Sequence, residues 1–281
     1  MQAMRKKSIC RFALFAFSVA LTLSASAQDG PVLVGKKALF LIGEREYRTA
    51  ETLPAFAKEH LEPLGIDSTF IIAGSDDRTS SRCHLFEGIA ELDSADILVL
   101  SLRRRFPRAE DLALIREWIE SGKPVIAIRT ACHAFGERKN GDGYEAPEGH
   151  RAWNTFCAEV LGAEYQGHYQ PQDQAPLSAW VEDKSLSHPI VQNLSDTRFD
   201  IGEKLYKFDQ LDPEIEVLVS ARFSKDEPTM PVAWTNTIEG KRVFYTSLGT
   251  PEEMENHEIQ SILKNAFIWA LSPEKGNGQI E

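Results

Sequence analysis

The sequence predicts an α/β fold: a doubly wound, mostly parallel sheet with β-rich additions in the C-terminal half. Three observations carry that reading. Short apolar runs of strand length recur at residues 37–43, 67–72, 96–101 and 125–128, with helical spacing or helix punctuation between them. Strands that alternate with helices pair in parallel through right-handed crossovers. The run at 125–128 is Val-Ile-Ala-Ile, apolar without alternation, as expected of a strand buried on both faces. Beyond residue 168 the rhythm changes to successive β-segments, at 177–182, 199–208, 215–220, 232–237 and 241–248.

In order, the first strand ends in the polar loop Glu44-Arg45-Glu46-Tyr47-Arg48. Thr49 or Thr52 caps a helix that runs to about Leu64, with Pro54 acceptable in its first turn and Gly65 as its stop. Residues 76–82 read as loop and 85–92 as a short helix. After the third strand comes Leu102-Arg103-Arg104-Arg105-Phe106-Pro107. Pro107 opens a helix whose Leu112, Ile115, Trp118 and Ile119 have helical spacing, and Gly122 closes it. Residues 139–149 read as a surface loop. A helix is expected at 153–161, stopped by Gly162, and then a short strand at 163–168 that delivers His168 to a rim. Residues 238–240 form a hairpin turn, 256–271 a final amphipathic helix, and 272–281 a flexible tail.

Residues 1–27 read as a signal peptide. Arg5, Lys6, Lys7 and Arg11 precede or open an apolar run at 12–23, and Ala25-Ser26-Ala27 offers a cleavage site before Gln28. The run is about 12 residues, against the ~20 that span a bilayer, so no stable membrane anchor is expected after cleavage. The location implied is secreted or periplasmic. Cleavage removes four basic residues and no acidic ones, moving the net charge from -11 to about -15. So acidic a chain is a poor partner for nucleic acid. Cys83, Cys132 and Cys157 remain, an odd number that leaves at least one thiol without an internal partner. Stability must then come from the core, and a chain of this length can build one.

Open α/β sheets bind ligands beyond the carboxyl ends of their strands. Four strand ends bring polar residues there: Glu44, Glu46 and Tyr47; Arg103, Arg104 and Arg105; Arg129, Thr130 and His133; Tyr165 and His168. Carboxylate, imidazole and guanidinium around one cleft suit general acid–base work on a polyhydroxylated ligand. In that reading Arg129 stabilises charge, His133 and His168 move protons, and Glu44 positions a hydroxyl or acts as base. Trp153 and Tyr47 offer rings for stacking on a sugar. Each has a plainer alternative: Glu44 as a structural ion pair, the arginines as a solvated loop, His188 as a turn residue. No cofactor is required by the sequence, and a divalent metal on His133, His168 and a carboxylate stays open, without His-x-His or His-x-x-x-His spacing to support it. An oligomer stays open too.

Several motifs in this order resemble the ThuA-like (trehalose utilisation) family, over about residues 36–271. They are Gly43-Glu44-x-Glu46-Tyr47, Ser101-x-Arg103-Arg104-Arg105, Arg129-Thr130-x-x-His133-Ala134-Phe135, Trp153-Asn154-x-Phe156, Tyr165-x-Gly167-His168, His188-Pro189-Ile190 and Pro231-Val232-Ala233-Trp234 with Ser247-Leu248-Gly249. The resemblance implies a flavodoxin-like, class I glutamine amidotransferase-like fold and a role in carbohydrate use in exported proteins. It departs where the family often has Gly-His, here Gly249-Thr250, and Gly-His-His, here Gly167-His168-Tyr169. The related amidotransferases carry a nucleophilic cysteine on a glycine-flanked turn after Gly-Lys-Pro-Val. Counting from Gly122, that place holds Arg129, which cannot attack a carbonyl. Cys132 lies three residues on, reads as a small packed residue, and is expected not to face its neighbour His133. The expectation is an exported protein acting on a keto-sugar or disaccharide derivative by proton transfer, as an isomerase, lyase or hydrolase and not a glutaminase. The rival is a non-catalytic sugar- or anion-binding protein on the same scaffold.

Overall fold

The computed structural model describes residues 33–75, 77, 80–138, 145–169, 177–202, 204–223, 228–238 and 240–273. The segment read as a signal peptide, the tail beyond residue 273, Glu239 in the hairpin turn and much of the 139–149 loop lie outside them. Among the described residues no helix is long and apolar enough to cross a membrane.

The first strand, β1 (Lys36–Gly43), is second from one edge of the sheet and buried from Ala38 onward. It lies between β2 (Ile66–Ile72) and β3 (Ile97–Leu102), parallel to both. β4 (Val125–Ile128) continues the parallel array beside β3, and β11 (Lys241–Thr246) beside β4. The order β2-β1-β3-β4-β11 is that of a doubly wound sheet, its last place filled by a strand from late in the chain. From β11 outward the sheet turns antiparallel through β10 (Met230–Ile238), β9 (Glu216–Arg222), β6 (Leu177–Val181) and β7 (Arg198–Ile201). β5 (Glu164–His168) and β8 (Tyr206–Asp209) form a separate antiparallel ribbon.

Alternation along β1 divides the core into two layers, since successive side chains point to opposite faces. Phe40 and Ile42 join Val99, Ile126 and Phe244 under α1 (Thr49–Phe56) and α3 (His257–Leu271). Leu39 and Leu41 join Leu98, Leu100 and Ala127 under α2 (Ala109–Glu120) and the 153–163 segment. Asn256 starts α3 by accepting from the backbone N–H of Glu258 and Ile259 at 2.8 and 3.3 Å.

Three expected elements differ. The 85–92 segment is a turn followed by a 3-10 stretch, Ile89–Ser94, because Gly88 at φ 90° sits in the left-handed region and interrupts a helix. The 153–161 helix shrinks to one π-turn, Cys157–Leu161. The 199–208 segment splits between two sheets. The chain leaves the first at Gly202, whose N–H donates to Glu253 Oε1 at 2.8 Å, and a Cβ there would lie 3.1 Å from the same oxygen.

Phe267 on α3 is fully buried, 5.9 Å from Phe40 and 6.2 Å from Phe56 between ring centroids. Phe267→Ala should cost about 3–5 kcal/mol. Urea unfolding should then show a lower midpoint at unchanged slope.

Candidate functional site

β4 ends at Ile128, and the chain reverses at Arg129, which adopts φ 56°. A non-glycine residue in the left-handed region needs support from its surroundings. Here the support is dense. Tyr245 Oη donates to the Arg129 carbonyl at 2.8 Å. The guanidinium donates to the Ser247 carbonyl, lies 3.8 Å from Glu253 Oε2 and sits 4.2 Å above the Tyr47 ring. Glu253 in turn accepts from the N–H groups of Gly249 at 2.7 Å and Thr250 at 2.9 Å, besides Gly202. Burial works against the Arg129 charge, but Glu253 and then the rings of Tyr206, Tyr47 and Tyr245 outweigh it, so its pKa rises above the ordinary arginine value. This position, read from the sequence as an oxyanion holder, is sealed beneath the surface.

Glu44 is buried as well, and both of its oxygens are engaged. They accept from the N–H of Tyr47 and of Thr49, each at 3.0 Å, and from Thr49 Oγ1 at 2.8 Å. Thr49 Oγ1 also accepts from Ser101 Oγ at 2.9 Å. The residue before α1, Arg48, is left-handed and offers no capping side chain. The Glu44 carboxylate supplies what that helix start lacks, a negative group on exposed N–H donors. Arg105 and Thr130 are buried too.

The structure does bring another set together. A cleft of about 800 Å³ opens between the 103–104 loop, the turn after β4, the 153–158 segment and β5. Arg103, Arg104, His133, Trp153, Tyr165 and His168 line it, and Arg129, Glu44, Glu46, Tyr47, Arg105 and Thr130 do not. Two backbone bonds strap the arginine loop to the turn: Arg104 N–H to the His133 carbonyl at 3.0 Å and Arg105 N–H to that of Ala134 at 2.7 Å. Arg103 reaches Glu46 at 2.7 Å.

The His133 ring stacks on Tyr165, centroids 4.6 Å apart and planes at 26°. Its Nδ1 lies 3.2 Å from Cys132 Sγ, so the two neighbours do face each other, contrary to expectation. The tight 3-10 turn Arg129–His133 folds the ring back over the thiol. No thiolate results: burial first, then Cys157, hold the Cys132 pKa well above the ordinary thiol value. A buried thiol in such surroundings is a poor nucleophile. Burial first, then Arg104, Arg103, Arg138 and His168, press the His133 pKa well below 6.5, leaving a neutral imidazole. His168 is exposed at the rim, turned there by a bulge between Tyr165 and Gly167, the latter at φ 110°. Its Nδ1 lies 2.9 Å from the Tyr169 carbonyl and so carries a proton, leaving Nε2 as the basic atom of the neutral ring.

The two rings read as stacking platforms are both buried. Trp153 packs under the Arg116 guanidinium at 4.0 Å, and its Nε1 donates to Glu159 at 2.6 Å. Tyr47 lies against Arg129. Among the described residues no group of three or more His, Cys, Asp or Glu side chains is placed to hold a metal ion. Sequence reasoning missed Glu253, Tyr206 and Tyr245. No local motif marks them, since they matter only through their approach to Arg129 across long chain separations. His188 accepts from the Ile190 N–H at 3.2 Å and closes a short 3-10 turn.

A family model described as ThuA, trehalose utilisation, matches residues 37–270. No curated protein matches. Among solved structures, a ThuA-like protein of Parabacteroides merdae ATCC 43184 superposes with a TM-score of 0.58 at 19% identity, over 84% of this chain and 90% of that one. A carbohydrate deacetylase, Agd3, gives 0.52 at 9% identity, over 84% of this chain and 32% of that one. The mmIFT52 N-terminal domain gives 0.51 at 12%, over 85% and 99%. At these identities the likeness is one of fold.

Glu253→Gln removes the countercharge from a buried guanidinium. Breaking such a pair costs about 3–5 kcal/mol, so the variant should unfold at a markedly lower urea concentration than wild type. A change under ~1 kcal/mol, the scale of an exposed pair, would contradict the role given to it.

Proposed function

This chain belongs to the ThuA (trehalose utilisation) family, and from that membership we propose that it acts on a carbohydrate, a keto-sugar or disaccharide derivative, by proton transfer in the cleft beside β4. One observation carries the reading: a neutral imidazole, His133, on the wall of a cleft lined by guanidinium groups. A base must be unprotonated to act, and positive neighbours keep it so while offering partners to the negative charge it creates.

The step is abstraction of a proton from the carbon next to a keto group. In the tautomer whose Nδ1–H donates to Cys132 Sγ, Nε2 of His133 is free and takes the proton. The C–H electrons shift into the adjoining C–C bond, and the carbonyl becomes an enediolate oxygen. Arg103, oriented by Glu46, holds that oxygen. An imidazolium at His168 gives the Nε2 proton to the former carbonyl carbon, while the hydroxyl on the deprotonated carbon becomes the new carbonyl and passes its proton to the enediolate oxygen, which completes isomerisation. Departure of a group from the next carbon would make the same intermediate an elimination. Arg129 and Glu44 act from behind, the first fixing the turn that carries His133, the second fixing the loop that carries Glu46. The signal-like start of the chain supports export to the periplasm or beyond as part of this proposal.

A non-catalytic sugar- or anion-binding role is the second reading, favoured by one observation. Glu137, a carboxylate of the cleft, is fully occupied: it accepts from Ala146 N–H and Asn154 Nδ2, each at 3.1 Å. Glu164, the other carboxylate of the cleft, also accepts a bond, from Gln166 at 3.3 Å, so proton transfer would fall chiefly to the imidazoles.

The test is incubation of the purified protein with trehalose and its keto derivative in D₂O. Thermal stabilisation and deuterium uptake beside the ketone are followed together. The proposal expects both, with uptake reduced about 10²–10⁴-fold in His133→Asn. Because the His133 pKa lies below its free value, the acid limb of kcat/KM should fall below pH 6.5, not at it. Stabilisation without uptake would identify a binder.

A further inference from the structure

Resting on the reading of the cleft as a carbohydrate site, we propose that its ligand is a sugar acid whose carboxylate is clasped by Arg104. Arg104, like Arg129, is held in the left-handed region, at φ 49°. Its main chain is tied to the His133 carbonyl, and one nitrogen, Nη1, donates to two carbonyls, those of Gly136 and Glu137, each at 2.8 Å. Both acceptors are uncharged. Among the described residues its other guanidinium nitrogens have no hydrogen-bond acceptor and its charge has no carboxylate partner. Those nitrogens are open to solvent in the cleft, so a ligand anion can take the place of the water on them. A strained, tethered and uncompensated guanidinium on a cleft wall is built for an anion, and its planar fork matches the two oxygens of a carboxylate.

The neighbouring charges set the class of anion. Arg103 is already matched by Glu46 at 2.7 Å. His133 is neutral, and the Glu137 carboxylate is spent on the Ala146 and Asn154 donors. On the opposite rim Glu164 Oε2 accepts from Gln166 at 3.3 Å. Glu137 and Glu164 meet only neutral donors and keep their negative charges on the same walls, a field that admits a singly charged carboxylate more readily than a doubly charged phosphate. Burial, then Arg138 and Arg103, pull the Arg104 pKa below the ordinary arginine value, the direction expected where no acidic group offsets them. The guanidinium still stays charged at any working pH.

The experiment is isothermal titration of the purified protein with glucose, trehalose, glucuronate and glucose 6-phosphate, at low and moderate salt. Wild type is compared with Arg104→Met and Arg104→Lys, each checked for a native circular dichroism spectrum. A charge-assisted pair should make glucuronate bind at least about tenfold more tightly than glucose. The advantage should vanish in Arg104→Met and survive in part in Arg104→Lys. The proposal is overturned if glucuronate binds no more tightly than glucose, if glucose 6-phosphate binds more tightly than glucuronate, or if the advantage persists in Arg104→Met. Binding of glucose and trehalose without preference for glucuronate would sink this inference alone. Absence of binding by any of the four would sink the carbohydrate reading with it.

Discussion

A single buried ion pair, Arg129 with Glu253, sets the geometry of this site. The pair sits where β4 and β11 end side by side, and both partners are almost wholly enclosed. Taking two charges out of water is unfavourable unless further hydrogen bonds complete them. Glu253 meets that demand with three backbone donors, from Gly202, Gly249 and Thr250. Arg129 meets it in part, through the Ser247 carbonyl and the ring of Tyr47, while among the described residues its buried Nε has no hydrogen-bond acceptor. The pair thus pins three separate loops and the start of the turn after β4. It also explains why the 199–208 segment cannot continue as one strand: the chain is drawn out of the sheet at Gly202.

The cleft is the outward consequence. Because Arg129 is fixed in a left-handed conformation, the next four residues wind tightly and place His133 at the cleft wall. Two backbone bonds, from Arg104 and Arg105 to residues 133 and 134, hold the guanidinium loop against that turn. Electrostatics then follow from placement. Burial first, and then the positive groups around it, keep the imidazole neutral, and the same groups face whatever charge a bound ligand brings. Cys132 beside it is kept a thiol by burial, so the geometry offers a base without a nucleophile.

Much of the fold was legible in the sequence, because strand burial leaves a local trace. Val125 to Ile128 and Ala38 to Ile42 are apolar without alternation, and the structure buries both runs on both faces. The Gly65 and Gly162 stops are similarly local. Partner choice is not. Nothing near Glu44 in the chain says that its carboxylate will replace a missing cap on α1 rather than face a ligand. Nothing near Arg129 says that Glu253, more than a hundred residues away, will enclose it. For the arginine triplet, sequence order could not tell Arg105, buried, from Arg103 and Arg104, which line the cleft. That distinction comes from the left-handed turn at Arg104. The facing of Cys132 and His133 was likewise set by the turn's pitch, not by their adjacency.

The central claim is that the turn fixed by Arg129 holds His133 as a neutral imidazole among guanidinium groups. The most direct test is an NMR titration of the His133 ring protons in the folded protein. The account predicts a midpoint well below 6.5, moving up toward the free value when Arg103 and Arg104 are replaced together by methionine. A midpoint at or above 6.5 in the wild-type protein would contradict it.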